Sequence, residues 1–550
     1  ERTAVDVEER LDYLDRVHTF VFRRDEHEFP GGAATTRYRF VHVLYQNALY
    51  DSLTGARRAE LSRKVAESLL SFYAKSPGPV AAELGYLFEQ ARDAGKAAEF
   101  YTLAARNAAR VFANGEAAQL AGRGLAALAK SERTPADAPL ELTLQLIYGS
   151  SLSATQGYAY PDVRTAMARA REIAEELGDR PQLAPVIWGL FAHHLVAGEV
   201  REAQRWAEHL LRLGTAANDP MMLVGAHGAM SFALFYFGRL PEVLEHCEKA
   251  AALYDRDKRP TYHAMYRMDP GVFIFSESAR TSCLVGFPDS ALKARDNALK
   301  LGSDSPDPRS AAFAFLFGAV LHELRREGDQ ALHFANLCIG VSDEHGIGQE
   351  RAWAMTIRGW SIAASGRVDE GVSEIEAAIA VQRSSHAELN LTFGLRQLAE
   401  TYMWQGSLDK AQAAIEEALS LAAPREERAS LHELHRIYGE TLRALRRMRG
   451  GNAAADGDEL FARAESEFRL AIEEARRQSA MLLELRAAAG LGRLLEEKGR
   501  GEEMRAEVTR LRNAMTEGLE LEDVRLANEF LDRITPRTRS PSKPTATIRT

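Results

Sequence analysis

The chain has 550 residues, 46% of them hydrophobic and 27% charged, with a formal net charge of -9. That suits a core-forming chain of several units, and 40 glycines with 19 prolines are too few for a fibrous or low-complexity protein. The mild acidity argues against general nucleic-acid binding, and three scattered cysteines (Cys247, Cys283 and Cys338) exclude a disulfide scaffold or thiolate zinc site and fit a cytoplasmic protein.

The sequence opens on Glu1-Arg2-Thr3-Ala4 rather than on Met, which we read as a piece of a longer protein, and no signal peptide is legible. Val7, Leu11, Leu14 and Val17 have the spacing of a helix. Phe20-Val21-Phe22 and Thr35–Val41 then flank a charged run and the turn Phe29-Pro30-Gly31-Gly32, which predicts a β-hairpin. His42–Leu53 and Ala56–Tyr73 are helical by period. Helix, hairpin, helix is the outline of the second half of a winged-helix domain, assigned to residues 1–75, with Ser76-Pro77-Gly78-Pro79 as a linker. Its leading helix carries five acids against two bases over Asp6–Arg16, so DNA binding is not expected.

From Val80 to Ile534 nearly everything has helical period. One phrase recurs: a helix, a Gly-centred turn, then a second helix rich in Ala. The turn glycines Gly198, Gly238, Gly286, Gly328, Gly366 and Gly406 follow at intervals of 40, 48, 42, 38 and 40, and Gly95 and Gly499 extend the series. Ala203, Ala291 and Ala411 sit five residues past their glycines, where a small side chain lets two helices close up, whereas Val243 and Gly371 hold the equivalent places elsewhere. We therefore expect an all-α, TPR-like solenoid of helical hairpins over residues 80–534, elongated and curved, each hairpin covering the apolar face of the last. Residues 535–550, basic and Pro-rich, read as a disordered tail. The most apolar stretches, Ala184–Leu195 and Ser310–Leu321, are too short to span a membrane.

Catalytic signals are weak. No GxxxxGK[ST] or GxSxG occurs, and Gly490-Leu491-Gly492 and Gly346-Ile347-Gly348 lack the third glycine of a dinucleotide site. His432-Glu433-Leu434-His435 has its histidines at i, i+3 rather than the i, i+4 of HExxH and reads as a polar helix face, so no metal site is expected. His193-His194 are adjacent and diverge by about 100° on a helix. First helices of stacked hairpins line the concave wall, so the expected partner face gathers Trp188, His194, Tyr236, Arg267, Arg351, Arg358 and Trp404. Their bland alternative is core packing for the aromatics and solvated surface for the arginines. Tyr262–Gly271, which lengthens one interval, reads equally as a binding loop or as packing.

Arg37-Tyr38-Arg39-Phe40-Val41-His42-Val43-Leu44-Tyr45-Gln46-Asn47-Ala48-Leu49-Tyr50-Asp51-Ser52-Leu53, with Arg57-Arg58-Ala59-Glu60-Leu61, resembles the segment after the nucleotide-binding module of bacterial STAND-type predicted ATPases. Tyr254-Asp255, Asp269-Pro270-Gly271-Val272, Ala429–Glu440 and Phe468–Arg486 resemble that family's TPR region. The resemblance covers about Val5 to Leu531. It implies a non-catalytic sensor region that binds a protein or ligand and relays it to an upstream ATPase module, the holder of ATP/ADP and Mg, coupled to a cyclase or kinase effector. It also makes His42 a nucleotide-sensing candidate, whose alternative is a helix-start histidine packed on the wing. Asn47 and Ser62 depart from the family pattern, where an acid and a His are common. The alternatives are a stand-alone TPR scaffold and, further off, a MalT-like transcriptional regulator.

Overall fold

A computed structural model describes residues 4–18, 20–30, 32–131, 134–178, 180–449 and 455–534. The expected tail and most of the insertion after Arg449 lie outside the described residues. Two compact units divide the chain: residues 1–152 with 165–180, and residues 153–164 with 181–550.

The first unit opens with α1 (Ala4–Tyr13), the antiparallel strands β1 (Val21–Glu28) and β2 (Ala34–Phe40), α2 (Val43–Asp51) and α3 (Gly55–Phe72). The charged run Arg23–Glu28, which the sequence reading left outside the strands, belongs to β1. Cross-strand pairing explains it: Arg37 binds Asp25 directly across the ladder. The acids of α1 serve the same hairpin, because the Tyr38 hydroxyl donates to Asp12 at 2.6 Å and Thr36 donates to Glu8 at 2.6 Å. Four helices follow: α4 (Ala81–Gln90), α5 (Ala94–Arg110), α6 (Asn114–Leu128) and α7 (Ala138–Thr155). Their core centres on Tyr101, fully buried with its hydroxyl donating to Glu89 at 2.8 Å. The helix α8 (Pro161–Leu177) is divided between the units.

The second unit is a run of helical hairpins. Its first helices are α9 (Arg180–Val196), α11 (Pro220–Tyr236), α14 (Pro270–Leu284), α16 (Pro308–Leu324), α18 (Gly348–Ala364), α20 (Leu391–Gln405), α22 (Leu431–Met448) and α24 (Met481–Glu496). Their partners are α10 (Val200–Ala217), α12 (Leu240–Leu253), α15 (Pro288–Ser303), α17 (Gly328–His345), α19 (Val368–Ser384), α21 (Leu408–Ala422), α23 (Ala455–Arg477) and α25 (Arg505–Ala514), and α26 (Glu522–Ile534) ends the described chain. Gly198, Gly238, Gly286, Gly366, Gly406 and Gly499 take positive φ, the left-handed conformation that stops the first helix. Gly95 and Gly328 do not. There the left-handed residues are Arg92 and Arg326, and each glycine sits in the opening turn of the next helix.

The long interval contains an extra helix, α13 (Arg259–Tyr266), whose tyrosines pack inward. Tyr262 and Tyr266 are fully buried, and the Tyr266 hydroxyl donates to the Met221 carbonyl at 2.9 Å. Gly225 makes room for it, since any Cβ there would meet the Tyr266 ring.

Gly371, on α19, crosses α18 at close range. Its Cβ would collide with the Gly359 carbonyl and lie 2.9 Å from the Ala363 amide nitrogen. Backbone cannot swing aside as a side-chain tip does, so Gly371→Ala should cost about 3 kcal/mol, the upper end for overpacking. Urea unfolding checks this, with Gly328→Ala as the control that should change little, because its methyl would lie 3.7 Å from the Ala364 side chain.

Successive turns of this superhelix dock on one another. The Leu389 amide donates to the Val196 carbonyl at 3.1 Å, and the Arg428 amide donates to the Tyr236 carbonyl at 2.7 Å. Further along, Glu517 accepts from the Asp289 and Ser290 amides at 2.9 and 2.8 Å, and Arg486 donates to the Leu324 carbonyl at 2.7 Å. Hairpins 162 to 228 residues apart therefore share a seam, and the first helices line a lumen.

Candidate functional site

Every first helix from α9 to α24 sends side chains into that lumen, and none of the described second helices does. The reason is local in α11 and α16: each is apolar around most of its girth, so one face packs its own partner and another is left for the interior. Aromatic residues make the belt. Phe232 lies 5.7 Å from Phe273 and 6.0 Å from Phe317, and Phe313 stacks on Phe317 at 4.6 Å. The cavity within it has a volume of about 140 Å³.

Arginines enter this apolar space only with carboxylates attached. Arg309 donates to Glu350 at 2.7 Å and lies 4.5 Å from the centre of the Tyr158 ring. Arg280 donates to Glu277 at 2.5 Å while covering the face of Phe235 at 3.2 Å. Arg396 is paired with Glu323, and Arg486 holds Asp523 at 2.7 Å and Glu433 at 3.1 Å. A naked charge would be costly here, which is why each of these arginines carries a carboxylate.

Other polar atoms in the wall have no partner. They are Glu350 Oε2, Arg280 Nε, Trp188 Nε1, Trp353 Nε1, Gln397 Oε1, the Ser430 hydroxyl and both ring nitrogens of His432. Burial pushes the His432 imidazole down to about 4, so at neutral pH it is uncharged, with one donor and one acceptor to offer. Buried orphans cost about 1–3 kcal/mol each. Several of them share this one cavity, which makes it the candidate site.

The seven residues expected on the partner face fall in different places. Trp188 and Tyr236 stand in the lumen wall, Trp188 5.1 Å from Tyr266 and Tyr236 donating to Asn390 at 2.9 Å. Burial raises the Tyr236 hydroxyl's pKa, so it stays a donor. His194 is turned to Glu199 at 2.5 Å. Arg267 caps α13 in the left-handed conformation, and burial lowers its pKa. Arg351 pairs with Asp343 at 2.6 Å and Arg358 with Glu374. Trp404 is 41% exposed beside Trp360, at a separate cleft with Arg326 and Glu522. In the first unit His42 caps α2, its Nδ1 accepting from the Leu44 amide at 3.2 Å.

His432-Glu433-Leu434-His435, read as a polar helix face, divides between two environments. His432 and Glu433 are buried toward the lumen, while His435 faces Glu467 at 2.7 Å. Arg309, Glu350 and Gln397 had no sequence signal, because a charge on a helix looks the same whether it faces water or a buried counter-ion. Among the described residues no helix is long and apolar enough to cross a membrane.

No protein-family profile and no curated protein matches the chain. Among solved structures it is similar to the Cut9–Hcn1 hetero-tetramer of the APC/C, at 13% identity over 90% of this chain and 94% of that one, TM-score 0.47. It is also similar to a Rap protein complexed with competence and sporulation factor, at 14% identity over 68% and 99%, TM-score 0.46. The human IFIT1 dimer with m7Gppp-AAAA follows at 15% identity over 75% and 90%, TM-score 0.36. Likeness at this level says nothing of the lumen or its occupant. On its own hairpins, turns and stacking, the chain is an all-α, TPR-like helical solenoid with one small β-hairpin near its start.

Proposed function

We propose that this chain is a non-catalytic sensor region whose second unit binds a small ligand in the lumen. The observation that carries the reading is the set of buried, unpartnered polar atoms around an aromatic wall. Occupancy would bias how tightly the superhelical turns dock, a two-state packing of the kind that couples sites. The resemblance to STAND-type ATPases supplies the receiver: an upstream switch module with ATP/ADP and Mg, working on a cyclase or kinase effector.

A scaffold that holds a protein partner is the second reading. It is favoured by α2, which buries none of its residues and leaves Leu44 and Leu49 65% and 59% exposed. The neutral fluorophore N-phenyl-1-naphthylamine separates the two. The sensor reading expects the full chain to bind it, and Val320→Trp, which fills the lumen without touching an ion pair, to weaken that binding at least tenfold with the melting temperature unchanged or raised. An unaltered affinity in the filled variant places the dye elsewhere and leaves the scaffold.

A further inference from the structure

A second cavity, of about 320 Å³, shares no lining residue with the lumen. It lies where α16 gives way to α17, beside the last turns of α18 and α20 and the start of α26. Its aromatic side is a pair of tryptophans, Trp360 and Trp404, with ring centres 6.0 Å apart. Trp360 is buried, but Trp404 leaves its ring open to the solvent, whereas tryptophan is on average a largely buried residue. Gly328 and Ala364 add almost no side-chain bulk beside the two rings.

The side-chain donors of this cleft are already committed. Trp360 Nε1 donates to Glu400 at 2.9 Å, and Arg326 donates to the other oxygen of the same carboxylate at 2.7 Å. Arg326 also stands 3.6 Å from Glu433, so its charge is answered twice. Ser361 and Ser365 give their hydroxyl protons to the Ile357 and Ile362 carbonyls of their own helix, at 2.9 and 2.7 Å, and keep only lone pairs. The carboxylates are less engaged. Asp329 makes no hydrogen bond or ion pair among the described residues, and Glu522 has only Arg525 at 3.7 Å, which binds Glu529 more closely. Each acid stands in the first turn of its helix, where it complements the helix dipole, and that accounts for either one alone. It does not account for an open indole in the same cleft, nor for side chains whose remaining hydrogen-bonding capacity is nearly all acceptor.

We propose that this cleft binds a guanidinium group, stacked on Trp404 and hydrogen-bonded to Asp329 and Glu522. A cation is drawn to the face of an indole, and a guanidinium is flat enough to lie on it while its five N–H bonds point outward in the plane toward acceptors. An ammonium brings the charge without the flat face. An anion would meet two carboxylates with no free cation beside them, and a neutral ring would leave both carboxylates unanswered. The inference stands whatever fills the lumen, because the two cavities have separate walls.

Isothermal titration of the full chain with the peptide acetyl-Gly-Arg-Gly-amide tests this, beside the same peptide carrying lysine or citrulline, the uncharged isostere of arginine. The arginine peptide should bind at least tenfold more tightly than the citrulline peptide and about threefold more tightly than the lysine peptide. Trp404→Leu and Asp329→Asn should each weaken it at least fivefold and leave the melting temperature unchanged, because both side chains are exposed. Ethylguanidinium separates the two sources of the group. An affinity equal to that of the arginine peptide assigns the cleft to a free guanidine, a tenfold weaker one assigns it to an arginine held in a chain, and both keep the guanidinium. Citrulline or lysine binding as well as arginine overturns the inference, as does an affinity that neither variant changes, or no binding at millimolar peptide.

Discussion

Arg486→Leu should destabilise the second unit by about 3–5 kcal/mol, the range for breaking a buried ion pair by removing one partner. The guanidinium grips Asp523 through two 2.7 Å bonds, reaches Glu433 at 3.1 Å and donates to the Leu324 carbonyl at 2.7 Å. Both carboxylates are about 4% exposed, so neither recovers water when its partner is gone. Arg486→Lys should rescue little, because a point charge cannot serve this fork. Urea unfolding followed by circular dichroism reads the loss. Arg525→Leu on α26, whose pair with Glu529 is exposed, should change stability by less than about 1 kcal/mol. Acid gives a second reading of the same cluster. Burial opposes ionisation of Glu400, yet Arg326, Arg436 and Arg396 outweigh it and hold the carboxyl at about 2. A depressed carboxyl contributes stability above its ordinary value near 4.5, and that contribution is lost as pH falls toward 2.

Glu427→Gln should do the opposite and stabilise the chain at pH 8, by about 3 kcal/mol. Glu427 is 1% exposed, and burial pushes its carboxyl up to about 7 against the pull of the Thr392 hydroxyl and Arg425. Its Oε2 has no partner. A raised carboxyl binds its proton more tightly when folded, so its contribution is complete below 4.5 and lost as pH climbs through 7. Melting temperatures at pH 5 and pH 8 decide it. The wild type should drop between the two, the glutamine variant should drop much less, and parallel falls would show that Glu427 does not titrate there.

Local rules made the hairpins legible and left the lumen hidden. A helix stops where the backbone turns left-handed, so glycine spacing alone located six turns. It misplaced the crossover at Gly95 and Gly328 because Arg92 and Arg326 accept that conformation instead. Trp188 and Tyr236 were legible as inward-facing aromatics, since the 3.6-residue period fixes a face. What no period reveals is which distant turns meet. Nothing in their spacing shows that Arg351 and Arg358 stand beside Asp343 and Glu374, or that the seam closes over His432.

The seam also changes how this solenoid comes apart. An open array of repeats is held by nearest neighbours alone, so it frays from its ends and tolerates losing a terminal repeat. Here Val196 is tied to Leu389, Tyr236 to Arg428 and Asp289 to Glu517, so the early coils are riveted to the late ones. Cutting anywhere between removes rivets at both ends. The second unit then behaves as a closed spring that melts in one step rather than unzipping, and its coils must all be made before any of them can lock.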